Sequence, residues 1–285
     1  MSRFVHLLHS LPGLGLALVL AFTAVTGAAL SIVPVVDRLT APATASAPDV
    51  AQLAATVAAR HETVSSIRVR TSGVVTADFT DGETSGVERI DPATGAGLGP
   101  WEVSPVVRGL VDLHRAFGLG TEGRVAAAVS AVAMLLLAIS GLVLLARRLG
   151  GARALLRPVT GAAMDRLHGE VARFAVAGLV VSSLGGLWMS AATFGILPEA
   201  ATLEAVTASG GPAVPLDRLA ALRAIDVASL RALDLPDPSD VGAPIRVTTT
   251  AGETAIDPAT GAVLAHVAAG PLDRLDAVVR MVHTG

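Results

Sequence analysis

Three stretches of the chain run without a single charge: residues 11–36, 125–146 and 174–198. An α-helix rises about 1.5 Å per residue, so about 20 apolar residues cross the hydrocarbon core of a bilayer. Each stretch is long enough, and each predicts a membrane-spanning helix. The first follows Arg3 and resembles a signal peptide at its start. It stays apolar well beyond the length of such a segment, in "TAVTGAALSIVPVVDRL", and reads as a retained helix.

Between and after these spans the pattern changes. "DVAQLAATVAAR" (49–60) has helix-forming residues with Asp49 placed to cap the first turn. "SSIRVRT", "GVVTADFT" and "GVERID" alternate apolar and polar positions and predict short strands. The last third repeats this order: "LDRLAALRAI" as a helix, then "PIRVTTT", "GETAID" and "GAVLAHV" as strands. "TAPATASAP" (40–48) and "LPDPSD" (235–240) read as linkers. Each half therefore predicts one small α+β unit.

Composition agrees with a membrane protein. Hydrophobic residues make up 52% of the 285, and only 16% are charged. The net charge of −3 gives no basic field for nucleic acid. Cysteine is absent, which removes disulfides, thiolate catalysis, iron–sulfur clusters and Cys-type zinc sites. The loop between the second and third spans holds Arg147, Arg148, Arg153, Arg157, Arg166 and Arg173 against Asp165 and Glu170. With Arg3 at the N-terminus, the positive-inside rule puts these segments in the cytoplasm and both α+β units outside. No broken helix or carboxylate within a span suggests a transporter.

A repeat organises the whole. "RIDPATGAGLGP" (89–100) and "AIDPATGAVLAHV" (255–267) share IDPATG, a turn sequence flanked by apolar residues, and predict matching β-hairpins. Setting His9 on His168 brings Gly27 onto Gly186 and Ser31 onto Ser190 without a gap. After each hairpin comes an amphipathic stretch with a histidine, His114 in one copy and His283 in the other. His283 thus stands where a further spanning helix would follow. The expected architecture is an α-helical membrane bundle with three spans present and a fourth missing, the chain being a fragment or ending early.

On this topology His9 and His168 lie at the cytoplasmic ends of their helices, and His114 and His283 at outer ends. Ionisable residues at membrane depth are costly and mark function. Two imidazoles on neighbouring helices at each face suit bis-histidine ligation of a b-type haem, and two such haems would carry electrons across the bilayer. Gly27, Gly141 and Gly186 lie near the same levels. They leave room for a flat macrocycle or simply let helices pack closely. His6, one turn before His9, is the alternative inner ligand. His61 and His266 fall in the α+β units and read as solvated surface histidines.

"HSLPGLGLALVLAFTAVTGAAL", "LHRAFGLGTEGRVAAAVSAVAMLLLAISGLVLLARR" and "LHGEVARFAVAGLVVSSLGGLWMS", in that order, resemble the PepSY-associated transmembrane family. The IDPATG units resemble PepSY domains. The resemblance implies a multi-pass bacterial inner-membrane protein with its N-terminus in the cytoplasm and its PepSY-like units in the periplasm. Residues 1–36 would be helix 1, 37–103 the first PepSY-like unit, 104–146 an amphipathic lead-in and helix 2, and 147–167 the Arg-rich loop. Residues 168–198 would be helix 3, 199–274 the second unit, and 275–285 the start of helix 4. Some relatives resemble ferric-siderophore reductases with two b haems, and for this chain one or two are expected. On that pattern His9, His168, His114 and His283 are the axial ligands, and an extracytoplasmic ferric siderophore is the electron acceptor. A cytoplasmic donor would be needed, because no flavin or NADPH fingerprint occurs in the chain. A flavin module would be separate or missing. PepSY units also occur as inhibitory modules beside proteases. The competing expectation is therefore a membrane-anchored binding module without enzymatic activity.

Overall fold

The structure, a computed structural model, describes residues 2–42, 49–198, 203 and 205–284. Most of the expected linker 40–48 lies outside the described residues. In chain order the helices are α1 (Ser2–Leu30), α2 (Ile32–Thr40), α3 (Val50–Ala58), α4 (Pro105–Ala116), α5 (Gly120–Leu149), α6 (Ala163–Thr193), α7 (Ala220–Arg223) and α8 (Pro271–Thr284). The strands are β1 (Thr63–Val69), β2 (Val75–Asp81), β3 (Thr84–Ile90), β4 (Gly97–Pro100), β5 (Leu230–Asp234), β6 (Ile245–Thr249), β7 (Gly252–Ile256) and β8 (Val263–Ala268). They divide into a helical unit (1–32, 105–198 and 279–284) and a sheet unit (33–104 and 199–278).

Among the described residues three helices are long and apolar enough to cross a membrane, His9–Thr40, Gly120–Leu149 and Ala163–Thr193. Their outward faces are apolar and bare. Leu11, Leu14, Leu18, Val129, Phe174 and Val181 are all exposed. Such a surface is untenable in water and suited to lipid. Within the helical unit α5 packs against both α1 and α6, and α4 packs against α1 and α5. Helix ends follow local chemistry. After α5, Gly150 takes φ 90, and the Gly151 amide reaches back to the Ala146 carbonyl. After α6, Gly195 takes φ 66, and the Ile196 amide reaches Ala191. Both are Schellman closures, which need the left-handed residue that glycine adopts freely. The α6 helix starts at Ala163, five residues ahead of the expected boundary, and stops at Thr193. The amphipathic lead-in and second span are separate helices, α4 and α5, parted at Phe117.

The sheet unit holds one eight-stranded antiparallel sheet in the order β4-β3-β2-β1-β5-β6-β7-β8. The two α+β units expected from sequence therefore share one sheet, joined where β1 pairs with β5. Ile67 stands opposite Leu233 at this seam, and both are fully buried. The helix α3 covers the seam with Val50, Leu53 and Val57. Asp49 caps it, its Oδ1 accepting from the Gln52 amide at 2.9 Å. The stretch expected as a second helix folds as a 3₁₀ turn, Leu216–Arg218, and the single turn α7.

Both IDPATG segments turn alike. The Gly95 amide meets the Asp91 carbonyl at 2.8 Å, and the Gly261 amide meets Asp257 at 2.8 Å. The Asp91 and Asp257 carboxylates accept from the amides of Ala93 and Ala259, at 3.0 and 2.8 Å. The glycines take φ 71 and 73, which a side chain would resist. Each turn closes an expected hairpin, β3–β4 and β7–β8.

Candidate functional site

The four singled-out histidines meet in two pairs, both within the helical unit. His9 on α1 faces His168 on α6 with ring centroids 6.3 Å apart. His114 on α4 faces His283 on α8 at 6.4 Å. His9 and Gly27, on one helix, are eighteen residues and so about 27 Å apart. The rings of His9 and His114 rest on glycines. A Cβ added to Gly141 would stand 2.8 Å from His9 Cε1, and one on Gly27 would stand 2.9 Å from His114 Cε1. These glycines therefore seat imidazoles directly. On α6 the seat is chiefly Gly185, where a Cβ would stand 2.7 Å from His283 Nδ1, while one on Gly186 would stand 3.8 Å from His283 Cε1. His6, by contrast, is exposed, and its near neighbour is the Ser10 hydroxyl on its own helix.

Why glycine serves here follows from helix geometry. A helical side chain covers the turn N-terminal to its own Cα. Without one, the carbonyl four residues earlier is open from the side. Leu137 precedes Gly141 by four, and its carbonyl lies 3.1 Å from His9 Nδ1. Thr23 precedes Gly27 by four, and its carbonyl approaches the His114 ring. Ser182 and Gly186 repeat the spacing towards His283. Two hydroxyls add to the seats. Ser140 Oγ is 3.2 Å from His9 Nδ1, and Thr26 Oγ1 is 3.0 Å from His114 Nδ1. Both residues are buried. His283 Nδ1 is buried without a hydrogen-bond partner among the described residues. The hydroxyls escaped the sequence reading, although each immediately precedes a glycine that had been singled out.

These pairs fit one iron each. Two imidazoles sharing a metal need a bond of about 2.0 Å on each side, and about 1.1 Å more from nitrogen to ring centre, so their centroids stand about 6.2 Å apart. The two observed separations match. Among the described residues no three His, Asp or Glu side chains gather around a common point that could hold a bare ion. Each pair offers two nitrogen ligands, the number a haem leaves open. An apolar cleft of about 320 Å³ lies nearby, lined by Leu18, Val19, Phe22 and Phe117. The Phe22 and Phe117 rings lie with centroids 6.0 Å apart, tilted by 34°.

A second histidine cluster lies in the sheet unit and differs from expectation. His61 is not solvated, with its side chain only 9% exposed. Its Nδ1 bonds Asp81 at 2.8 Å, its Nε2 bonds Glu88 at 2.6 Å, and Phe79 stacks on the ring at 4.1 Å. Arg60 bonds the other Glu88 oxygen at 2.8 Å. Burial alone would lower the His61 pKa, but the hydrogen bonds and charges of Asp81 and Glu88 outweigh it and raise it. Burial likewise opposes ionised Glu88, yet Arg60 and His61 hold its pKa below the usual value. With both ring nitrogens engaged, this cluster ties β1, β2 and β3 together and offers no free ligand atom. His266 is exposed, as expected, beside the Thr254 hydroxyl.

Comparison with known proteins gives one family. No curated protein and no solved structure matches the chain. The model of the PepSY-associated TM region matches residues 6–285, nearly the whole length, and the chain belongs to that family.

Proposed function

We propose that the chain is a haem-binding electron conduit of the bacterial inner membrane, with His9 and His168 as axial ligands at one face and His114 and His283 at the other. The observation that carries this reading is the pair of ring separations, 6.3 and 6.4 Å, one set near each end of the bundle. A bound haem b supplies a reversible Fe(III)/Fe(II) couple. The chain's own part is to hold imidazoles in place, bury them against glycine-bearing helices and keep water from the path.

The Arg-rich loop, with Arg147, Arg153, Arg157 and Arg166, supports a cytoplasmic position for the His9–His168 end. His114, His283 and the PepSY-like units then belong to the periplasmic side. A separate reduced flavoprotein on the cytoplasmic side would donate one electron at a time. An extracytoplasmic ferric siderophore would accept it, Fe(III) becoming Fe(II), in a ferric-chelate reductase reaction that needs no acid–base residue. The halves are read as copies, α1 with α6 and α4 with α8. The like turns at Asp91 and Asp257 and the mirrored strand order support this. A fourth spanning helix, the counterpart of α5, belongs to the same reading.

The test is vectorial. Haem-loaded full chain in proteoliposomes, with dithionite-reduced flavin inside, should reduce an external ferric hydroxamate, read as Fe(II) captured by a chromogenic chelator. Replacing His9 or His114 with alanine should abolish the rate. Reduction no faster than in protein-free vesicles would overturn the reading and favour an anchored PepSY binding module.

A further inference from the structure

We infer that Thr26 and Ser140 are positioning residues that fix the tautomer of His114 and His9, so that Nε2 of each is the bare nitrogen offered to the opposite ring. The inference rests on the proposed histidine pairs and goes beyond them to two hydroxyls on neighbouring helices.

The argument is a count of protons. A hydroxyl has one proton to give and lone pairs to accept. Thr26 gives its proton to its own helix, where its Oγ1 lies 2.9 Å from the Phe22 carbonyl and 3.1 Å from that of Thr23. With the proton so placed, the contact of 3.0 Å between Thr26 Oγ1 and His114 Nδ1 runs from ring to hydroxyl, Nδ1–H donating, and the Thr23 carbonyl beside the same ring can only accept. Ser140 repeats the arrangement. Its hydroxyl donates to the Leu137 carbonyl at 3.2 Å, so its oxygen accepts from His9 Nδ1 at 3.2 Å. The Leu137 carbonyl, at 3.1 Å from the same nitrogen, can only accept. A neutral imidazole with its proton on Nδ1 has its lone pair on Nε2. The network thus assigns the same tautomer at both seats.

Burial gives this force. Thr26 and Ser140 are each 5% exposed, so water does not replace a missing partner. Position in the helix gives the rest. Each hydroxyl sits immediately before the glycine that bares the ring's seat. The pair therefore acts as one device, glycine setting the ring's distance and hydroxyl setting its proton. The other ring of the outer pair lacks such a hydroxyl, since His283 Nδ1 has no hydrogen-bond partner among the described residues. His114 is thus the fixed ligand of its pair, and His9 has the same support in the other. An acceptor held against Nδ1–H raises the electron-giving power of a ligated imidazole.

The test reads the proton directly and does not require haem. Full-length chain labelled with ¹⁵N-histidine in nanodiscs would be examined by solid-state NMR, with His9→Gln and His114→Gln for assignment. His9 and His114 should carry their proton on Nδ1. Thr26→Val, which keeps the shape and removes the hydroxyl, should move part of the His114 proton population to Nε2, the Thr23 carbonyl still accepting from the rest, and Thr26→Ser should restore it. Ser140→Ala should shift His9 in the same partial way, because Leu137 still accepts. In haem-loaded chain Thr26→Val should raise one midpoint potential and leave the other. A wild-type His114 found with its proton on Nε2, or a His114 unmoved by Thr26→Val, would overturn the inference. A chain that binds no haem but has these tautomers would sink the conduit and leave this assignment standing.

Discussion

His114 Cε1 occupies the space a side chain on Gly27 would need, 2.9 Å from where its Cβ would be. Gly141 stands in the same relation to His9, at 2.8 Å. Each seat joins two different helices, so ring placement depends on helix packing and helix packing on the missing side chain.

From this follows a contrast between glycines. Gly27→Ala and Gly141→Ala should each cost about 1–3 kcal/mol by forcing a buried ring to move. Each should also lower haem occupancy at its own end. Gly15→Ala on the same α1 helix meets nothing within 4 Å. It should be neutral or gain up to about 1 kcal/mol from better helix propensity. Thermal midpoints and haem-to-protein ratios of the three variants in detergent check this. Equal effects at all three positions would contradict it.

The seam between β1 and β5 makes a second prediction. Ile67→Ala should cost about 2–5 kcal/mol, because it empties a fully buried position opposite Leu233. The loss should spread to both sides of the seam. Hydrogen exchange of the full chain should speed up in β6 and β7 as well as in β2 and β3. Faster exchange confined to β2 and β3 would mean two separately stable sheets.

The His61 cluster predicts a pH dependence. A histidine with a raised folded pKa stabilises fully below its unfolded value, about 6.5, and loses that contribution as pH climbs through the folded value. Asp81, lowered chiefly by its bond to His61, and Glu88 act in the opposite sense, losing their contribution as pH falls through their folded values. The cluster should be strongest between the two limits. The gap in thermal midpoint between wild type and His61→Asn should be wide near about pH 5.5 and narrow by about pH 9. A gap that widens over that range would contradict the protonated cluster.

Much of the architecture was legible because membrane helices and turns are local signals. Uncharged runs announced the three spans, Asp49 announced the start of α3, and IDPATG announced both hairpins. The strand β5 was not legible. "LRALD" is rich in helix formers, and only its pairing with β1 and β6 makes it extended, which is a tertiary override of propensity. That missed strand is why two units were expected where one sheet runs through. His61 misled for a related reason, since its partners Asp81 and Glu88 lie 20 and 27 residues away across the sheet. At the histidine pairs, residue type and helical spacing brought forward the rings and Gly27 and Gly141. Thr26, Ser140 and Gly185 emerged only with the rotation of each helix, which a uniformly apolar span does not encode.

The most direct test of the central claim is a reduced-minus-oxidised visible spectrum, with pyridine haemochrome quantitation, of the detergent-purified full chain. It would be repeated on His9→Ala, His168→Ala, His114→Ala, His283→Ala and His6→Ala. The account predicts a b-type spectrum with two haems per chain. One should be lost with His9 or His168, the other with His114 or His283, and neither with His6. A folded chain supplied with haem that binds none, or that keeps its haem through all four substitutions, would contradict it.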